Sequence, residues 1–84
     1  MMNKEEKVID YKGLYETNIF MKNIKEIEKV SKENDVDVLV AVSMWYQKQP
    51  ALEPKEYQRQ VKEFTQACIS VKYDFAKIYE ILGI

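Results

Sequence analysis

Residues 54–82 read PKEYQRQVKEFTQACISVKYDFAKIYEIL, and the apolar positions in this stretch decide the fold. Tyr57, Val61, Phe64, Cys68, Val71, Phe75, Ile78 and Leu82 are spaced alternately four and three apart. That spacing puts all eight side chains on one stripe of a helix, whereas a strand sends successive residues to opposite faces. Pro54 suits a first helical turn, where its missing N–H costs nothing, and Gly83 suits a helix end. The expectation is one helix over about 54–82, about 40 Å long at a rise of about 1.5 Å per residue.

Read as a coiled coil, Val61, Cys68, Phe75 and Leu82 take the a positions, and Tyr57, Phe64, Val71 and Ile78 the d positions. A two-stranded zipper favours Ile or Val at a, Leu at d and opposite charges at e and g. Here aromatic residues enter the seam, and the g positions are Gln60, Ala67, Asp74 and Ile81. Ala67, Tyr79 and Ile81 broaden the stripe instead, as in a helix packed against two neighbours. Ile69 and Tyr73 fall on the far side. They are either scattered surface apolars, which are ordinary, or an interface for another subunit or a protein partner.

Upstream, Asp10 is a natural N-cap, although Gly13 weakens the first turn behind it. From Leu14 to about Glu33 the spacing is helical, with Phe20, Ile24, Ile27 and Val30 on one face and Ile19 and Met21 widening it. Glu28 and Lys32 form a favourable i,i+4 pair. Asn34-Asp35 ends this helix and offers a cap for the next one. Val36 to Tyr46 carries two patterns. Valines at 36, 38, 40 and 42 alternate as in a strand, while Val38, Val42, Trp45 and Gln49 make a helical row behind Asp35 and Asp37, which suit a helix N-terminus. Helix is favoured, because a lone strand would have no partner in the chain. Gln49 to Pro54 is a turn, and the Tyr46-Gln47-Lys48-Gln49 before it recurs as Tyr57-Gln58-Arg59-Gln60 after it. The expected fold is all-α: a three-helix bundle with a long C-terminal helix (about 54–82), in a single domain over 10–84 behind a mobile charged arm at 1–9. Small domains without staples often gain stability by associating, so a homo-oligomer is expected.

The chain has 84 residues, 46% of them hydrophobic, and a net charge of −1, which fits one globular domain and excludes a surface built to grip long nucleic acid. The longest apolar run, Val38 to Val42, falls far short of the roughly 18 residues of a membrane span. The charged opening Met1 to Lys7 leads into no apolar segment of a secretory kind. A cytoplasmic location is expected, and a lone cysteine fits it. Charge is uneven: residues 38–62 carry Lys48, Lys55, Arg59 and Lys62 against Glu53 and Glu56, the only basic stretch.

Little in the chain carries chemistry. There is no histidine, so neither a zinc site nor a His-activated nucleophile is expected. Gly13 and Gly83 are the only glycines, too few for a phosphate-cradling loop, and no cofactor is implied. Cys68 lies in the apolar seam and reads as a small buried hydrophobe. The carboxylate pairs Glu5/Glu6, Glu26/Glu28 and Asp35/Asp37 sit in solvated stretches or at caps, without the apolar pocket a catalytic carboxyl needs. Catalysis is therefore not expected.

The basic and aromatic residues around the proline turn are the best binding candidates: Trp45, Tyr46, Lys48, Tyr57, Arg59 and Lys62. Aromatic rings stack on bases, and Lys or Arg holds phosphate. With no excess charge elsewhere, a small phosphorylated ligand fits better than a long nucleic acid. The alternative is that Trp45 and Tyr57 are core residues closing one end of the bundle.

Residues 55–77 open with the basic-acidic pair Lys55-Glu56, place Phe64 shortly before a central Ala67, and end in the triplet Phe75-Ala76-Lys77. In these features they resemble the long helix of the phage anti-CBASS sponge family. The family's aromatic-Ala-Asn stretch is Ser70-Val71-Lys72 here, and its Tyr-x-His-Pro-Pro element has no counterpart. The resemblance implies a small helical oligomer that sequesters a cyclic oligonucleotide signal without cleaving it. The expected function is thus that of a non-enzymatic binding protein. Its phosphate contacts would be Lys48, Arg59 and Lys62, and its stacking residues Trp45, Tyr46 or Tyr57. The rivals are a protein-binding adaptor or inhibitor working through Ile69 and Tyr73, and an assembly protein.

Overall fold

The computed structural model describes residues 8–84, and the expected arm at 1–9 lies outside the described residues except for Val8 and Ile9. Six helices follow one another among the described residues: α1 (Tyr11–Thr17), α2 (Ile19–Lys22), α3 (Ile24–Asn34), α4 (Val38–Tyr46), α5 (Pro54–Ser70) and α6 (Phe75–Leu82). The all-α expectation holds, and the described residues contain no strand. The expected three helices do not hold as drawn: the first is cut twice and the last once.

Asp10 caps α1, its carboxylate accepting from the Gly13 N–H at 3.0 Å. The helix stops at Asn18, whose backbone is extended at φ −112° and ψ 119°. Its side-chain oxygen accepts from the N–H groups of Phe20 and Met21, so Asn18 restarts the chain as the N-cap of α2. A second, looser break at Asn23 leads into α3, which ends at Asp35 in a left-handed conformation (φ 51°). An aspartate tolerates that conformation better than most residues. Asp37, and not the expected Asn34-Asp35, then caps α4 through the N–H groups of Leu39 and Val40, since Asp35 is spent on ending α3. Residues 38–46 are therefore helix, and the alternating valines do not make a strand.

Pro54 opens α5 and Gly83 ends α6 at φ 73°, both as expected. Between them the continuous 54–82 helix is corrected to two helices. The chain turns at Val71–Asp74, with Lys72 at φ 56° and Tyr73 at φ 61°. The seam residues are nonetheless the right ones. Phe64, Cys68, Phe75 and Ile78 are buried, and Tyr57, Val61, Val71 and Leu82 pack against them. Phe20, Met21, Ile24 and Ile27 supply the facing part of the core. α3 pairs with α4, α2 with α5, and α6 lies along α1.

Candidate functional site

The residues around the proline turn divide into rings that serve the core and charges that face water. Phe20 is fully buried, and its ring is ringed by Trp45, Tyr46, Tyr57 and Phe64 at centroid distances near 6 Å. Tyr46 and Tyr57 lie on each other, with centroids 4.5 Å apart and planes inclined by 36°. The repeated Tyr-Gln-basic-Gln motif thus brings its two tyrosines together across the turn. The Tyr46 hydroxyl also accepts from the Leu52 N–H and ties the loop down. Trp45 is buried and aims its indole N–H at Glu26 Oε1, 3.3 Å away.

Arg59 is bound to Glu56 and, at 2.8 Å, to Glu63, all on the surface of α5. The Glu56 carboxylate is held below its usual range, first by the Arg59 guanidinium and then by the Gln60 amide. Lys62 is exposed on the same helix. Lys48 lies in an open groove between α3 and the end of α4, with Lys29, Glu26, Glu33 and Trp45. The structure brings Trp45 and Lys48 together, and Tyr46 with Tyr57. Arg59 is engaged by acids of its own helix.

A different surface presents unpaired apolar side chains. Ile69 is 55% exposed and Tyr73 42%, as their positions opposite the seam imply. Leu39 and Val40, in the first turn of α4, are 45% exposed each. Tyr73 and Leu39 line one groove with Ser31, Asp37 and Val38, of about 360 Å³. Sequence reading missed Leu39 and Val40. The signal was present in five consecutive apolar residues at 38–42, since a helix packed on one side cannot turn all five inward.

The remaining reactive groups have structural duties. Cys68 is buried, and burial pushes its thiol up to about 12. The Tyr79 hydroxyl donates to Glu28 Oε1 at 2.6 Å, and burial together with that carboxylate raises its pKa above the usual tyrosine range. Lys25 sits over the Tyr79 ring, 5.5 Å from its centre. Glu28 also pairs with Lys32 at 3.4 Å, the i,i+4 contact read from the sequence. Of the carboxylate pairs, Glu26 accepts from Trp45, Glu28 from Tyr79, and Asp37 is a cap, while Glu5 and Glu6 lie outside the described residues.

A buried polar junction also escaped the sequence reading. The Asn18 amide donates to the Gln60 carbonyl at 2.8 Å and to Glu63 Oε1 at 3.2 Å. The Gln60 side-chain oxygen accepts from the Ile19 N–H at 2.8 Å. The Tyr11 hydroxyl donates to the Ala67 carbonyl at 2.8 Å. These bonds fix the α1–α2 break against α5. No helix among the described residues is long and apolar enough to cross a membrane. Comparison of the chain with protein-family models, with curated proteins and with solved structures gives no match.

Proposed function

We propose that the chain is a non-enzymatic binding protein, acting on a protein partner as an adaptor or inhibitor through the face that carries Leu39, Val40, Ile69 and Tyr73. The carrying observation is that these large apolar side chains are exposed and that two of them line a common groove. Exposed apolar side chains gathered at a groove, as Leu39 and Tyr73 are, mark interaction sites on small proteins. A non-catalytic role is supported by the duties of the reactive groups: a buried thiol pushed to about 12 is a poor nucleophile, and the carboxylates described above cap helices or accept hydrogen bonds. A cytoplasmic setting belongs to the same reading, since a reduced lone thiol suits that compartment.

The test is a pull-down with the wild-type chain and with Ile69→Lys combined with Leu39→Glu, both checked for equal helicity. A protein retained by the wild type and lost by the double variant supports the reading. Retention of the same protein by the variant sinks it.

Sequestration of a cyclic oligonucleotide is the second reading, favoured by the groove in which Lys29 and Lys48 accompany Trp45. The mutual stacking of Tyr46 with Tyr57 and the ion pairs of Arg59 weigh against the wider site. A thermal-shift screen against cyclic di- and trinucleotides separates the two readings. A rise in melting temperature that vanishes in Lys48→Ala with Arg59→Ala moves the assignment to the nucleotide; no rise leaves the protein partner.

A further inference from the structure

The turn between α5 and α6 is made by residues that have no intrinsic reason to turn. Between Pro54 and Gly83 there is neither glycine nor proline, and the four-three apolar spacing runs unbroken through Cys68, Val71, Phe75 and Ile78. Yet Lys72 and Tyr73 both occupy the left-handed region, at φ 56° and 61°. Side chains bearing a Cβ are crowded there, and two such residues in succession hold strain that the surrounding contacts must offset. The hydrogen bonds of the corner are local: Lys72 N–H to the Ile69 carbonyl and Tyr73 N–H to the Cys68 carbonyl, both 2.8 Å. No side chain caps the start of α6 at Asp74. What holds α6 in place is its far side, which lies along α1 and reaches α3 through Tyr79 on Glu28.

Those docking contacts do not depend on which copy of the chain supplies α6. We propose that two copies of this chain exchange α6. In the exchanged dimer residues 71–74 wind into right-handed helix, α5 and α6 fuse into one helix over 54–82, and each α6 docks on α1 and α3 of the other copy. The left-handed conformations of Lys72 and Tyr73 are released, while Phe75 and Ile78 are buried in an equivalent core. A short strained hinge is the usual setting for such exchange. The occupant of the α6 site is then a second copy, recognised by the same Tyr79–Glu28 bond and apolar seam. Conversion between monomer and dimer requires α6 to leave the core, so the two forms interconvert slowly.

The test is gel filtration with light scattering on the full chain, refolded from denaturant at low and at high concentration. Three proteins are compared: wild type, Lys72→Gly and Ile69→Lys. Glycine adopts the corner's φ freely and keeps the monomeric turn, without touching the exposed apolar face. The expected result is a wild-type dimer, favoured by refolding at high concentration and persisting on dilution. Its dissociation constant rises by about a hundredfold or more in Lys72→Gly, the equivalent of one left-handed residue relieved in each of the two chains, and is unchanged in Ile69→Lys. A wild-type monomer at every concentration overturns the proposal. So does a dimer that Lys72→Gly leaves intact, or one that Ile69→Lys abolishes, which would be a contact between apolar faces.

Discussion

Of the three places that interrupt stretches whose apolar spacing is helical, Asn18 and the corner at Lys72–Tyr73 are held by different means. At Asn18 the break is locked from within: one buried side chain caps α2 with its oxygen and binds the backbone of Gln60 with its nitrogen, and Gln60 answers through the Ile19 N–H. At Lys72–Tyr73 the break has left-handed backbone, exposed side chains and local hydrogen bonds alone. The first break belongs to the core and the second to whatever keeps α6 docked. A helix interruption anchored by side chains is a fixed part of a fold, while one imposed by distant packing is open to rearrangement.

The largest effect that separates the two regions lies in the aromatic cluster beside Asn18. Phe20→Ala removes a fully buried ring that touches four other aromatic residues. It should cost about 3–5 kcal/mol in a denaturant titration. A cost near 1 kcal/mol would mean that this end of the molecule is loosely packed, and the contrast with the corner would fail.

High pH probes the other region. Cys68, on the last turns of α5, has its thiol moved by burial from 9.0 to about 12. A pKa raised on folding stabilises the fold fully below the unfolded value of about 9, and that contribution is lost as pH climbs toward 12. The loss amounts to about 4 kcal/mol once the folded thiol ionises. Tyr79 is shifted in the same direction, so ionisation also weakens the docking of α6 beside Glu28. Melting temperatures measured from neutral to strongly alkaline pH should therefore fall above about pH 9 in the wild type. Cys68→Ala should fall less steeply and keep the part due to Tyr79. Parallel curves for the two proteins would contradict the burial of Cys68.

The sequence made the composition of the core legible because burial follows spacing. All eight seam residues are buried or packed on the core, as are Ile24, Ile27 and Val30 of α3 and Val38, Val42 and Trp45 of α4, while Gln49 of the expected row lies beyond α4. The cap at Asp10 and the stop at Gly83 were legible because each carries a local chemical reason, whereas the cap of α4 falls on Asp37 and not on Asn34-Asp35, because Asp35 is taken up as the left-handed end of α3. The breaks were not legible. Asn18 reads as an ordinary polar position until Gln60, 42 residues away, supplies its partner. Lys72 and Tyr73 are unremarkable helix residues that only tertiary packing bends. The basic and aromatic cluster was legible as a neighbourhood and not as a surface: pattern alone could not say that Tyr46 would face Tyr57 rather than a ligand. Leu39 and Val40 were missed although the five apolar residues at 38–42 are too many for one helix face to turn inward.

The smallest effects sharpen the comparison most, because they differ in sign. Asn18→Ala deletes the α2 cap and leaves the Gln60 carbonyl without its buried donor, a loss of about 2 kcal/mol. Lys72→Gly acts oppositely. It removes a crowded left-handed side chain but gives the unfolded chain more freedom, for a net stabilisation of about 1 kcal/mol or less. Both are measured by the same chemical denaturation, with the monomer isolated beforehand so that association does not enter. If Lys72→Gly destabilises as Asn18→Ala does, the lysine side chain is itself part of what holds the corner, and the two breaks are built alike. If it stabilises while Asn18→Ala destabilises, one break is written into the side chains that form it, and the other is strain that the docked α6 keeps in place.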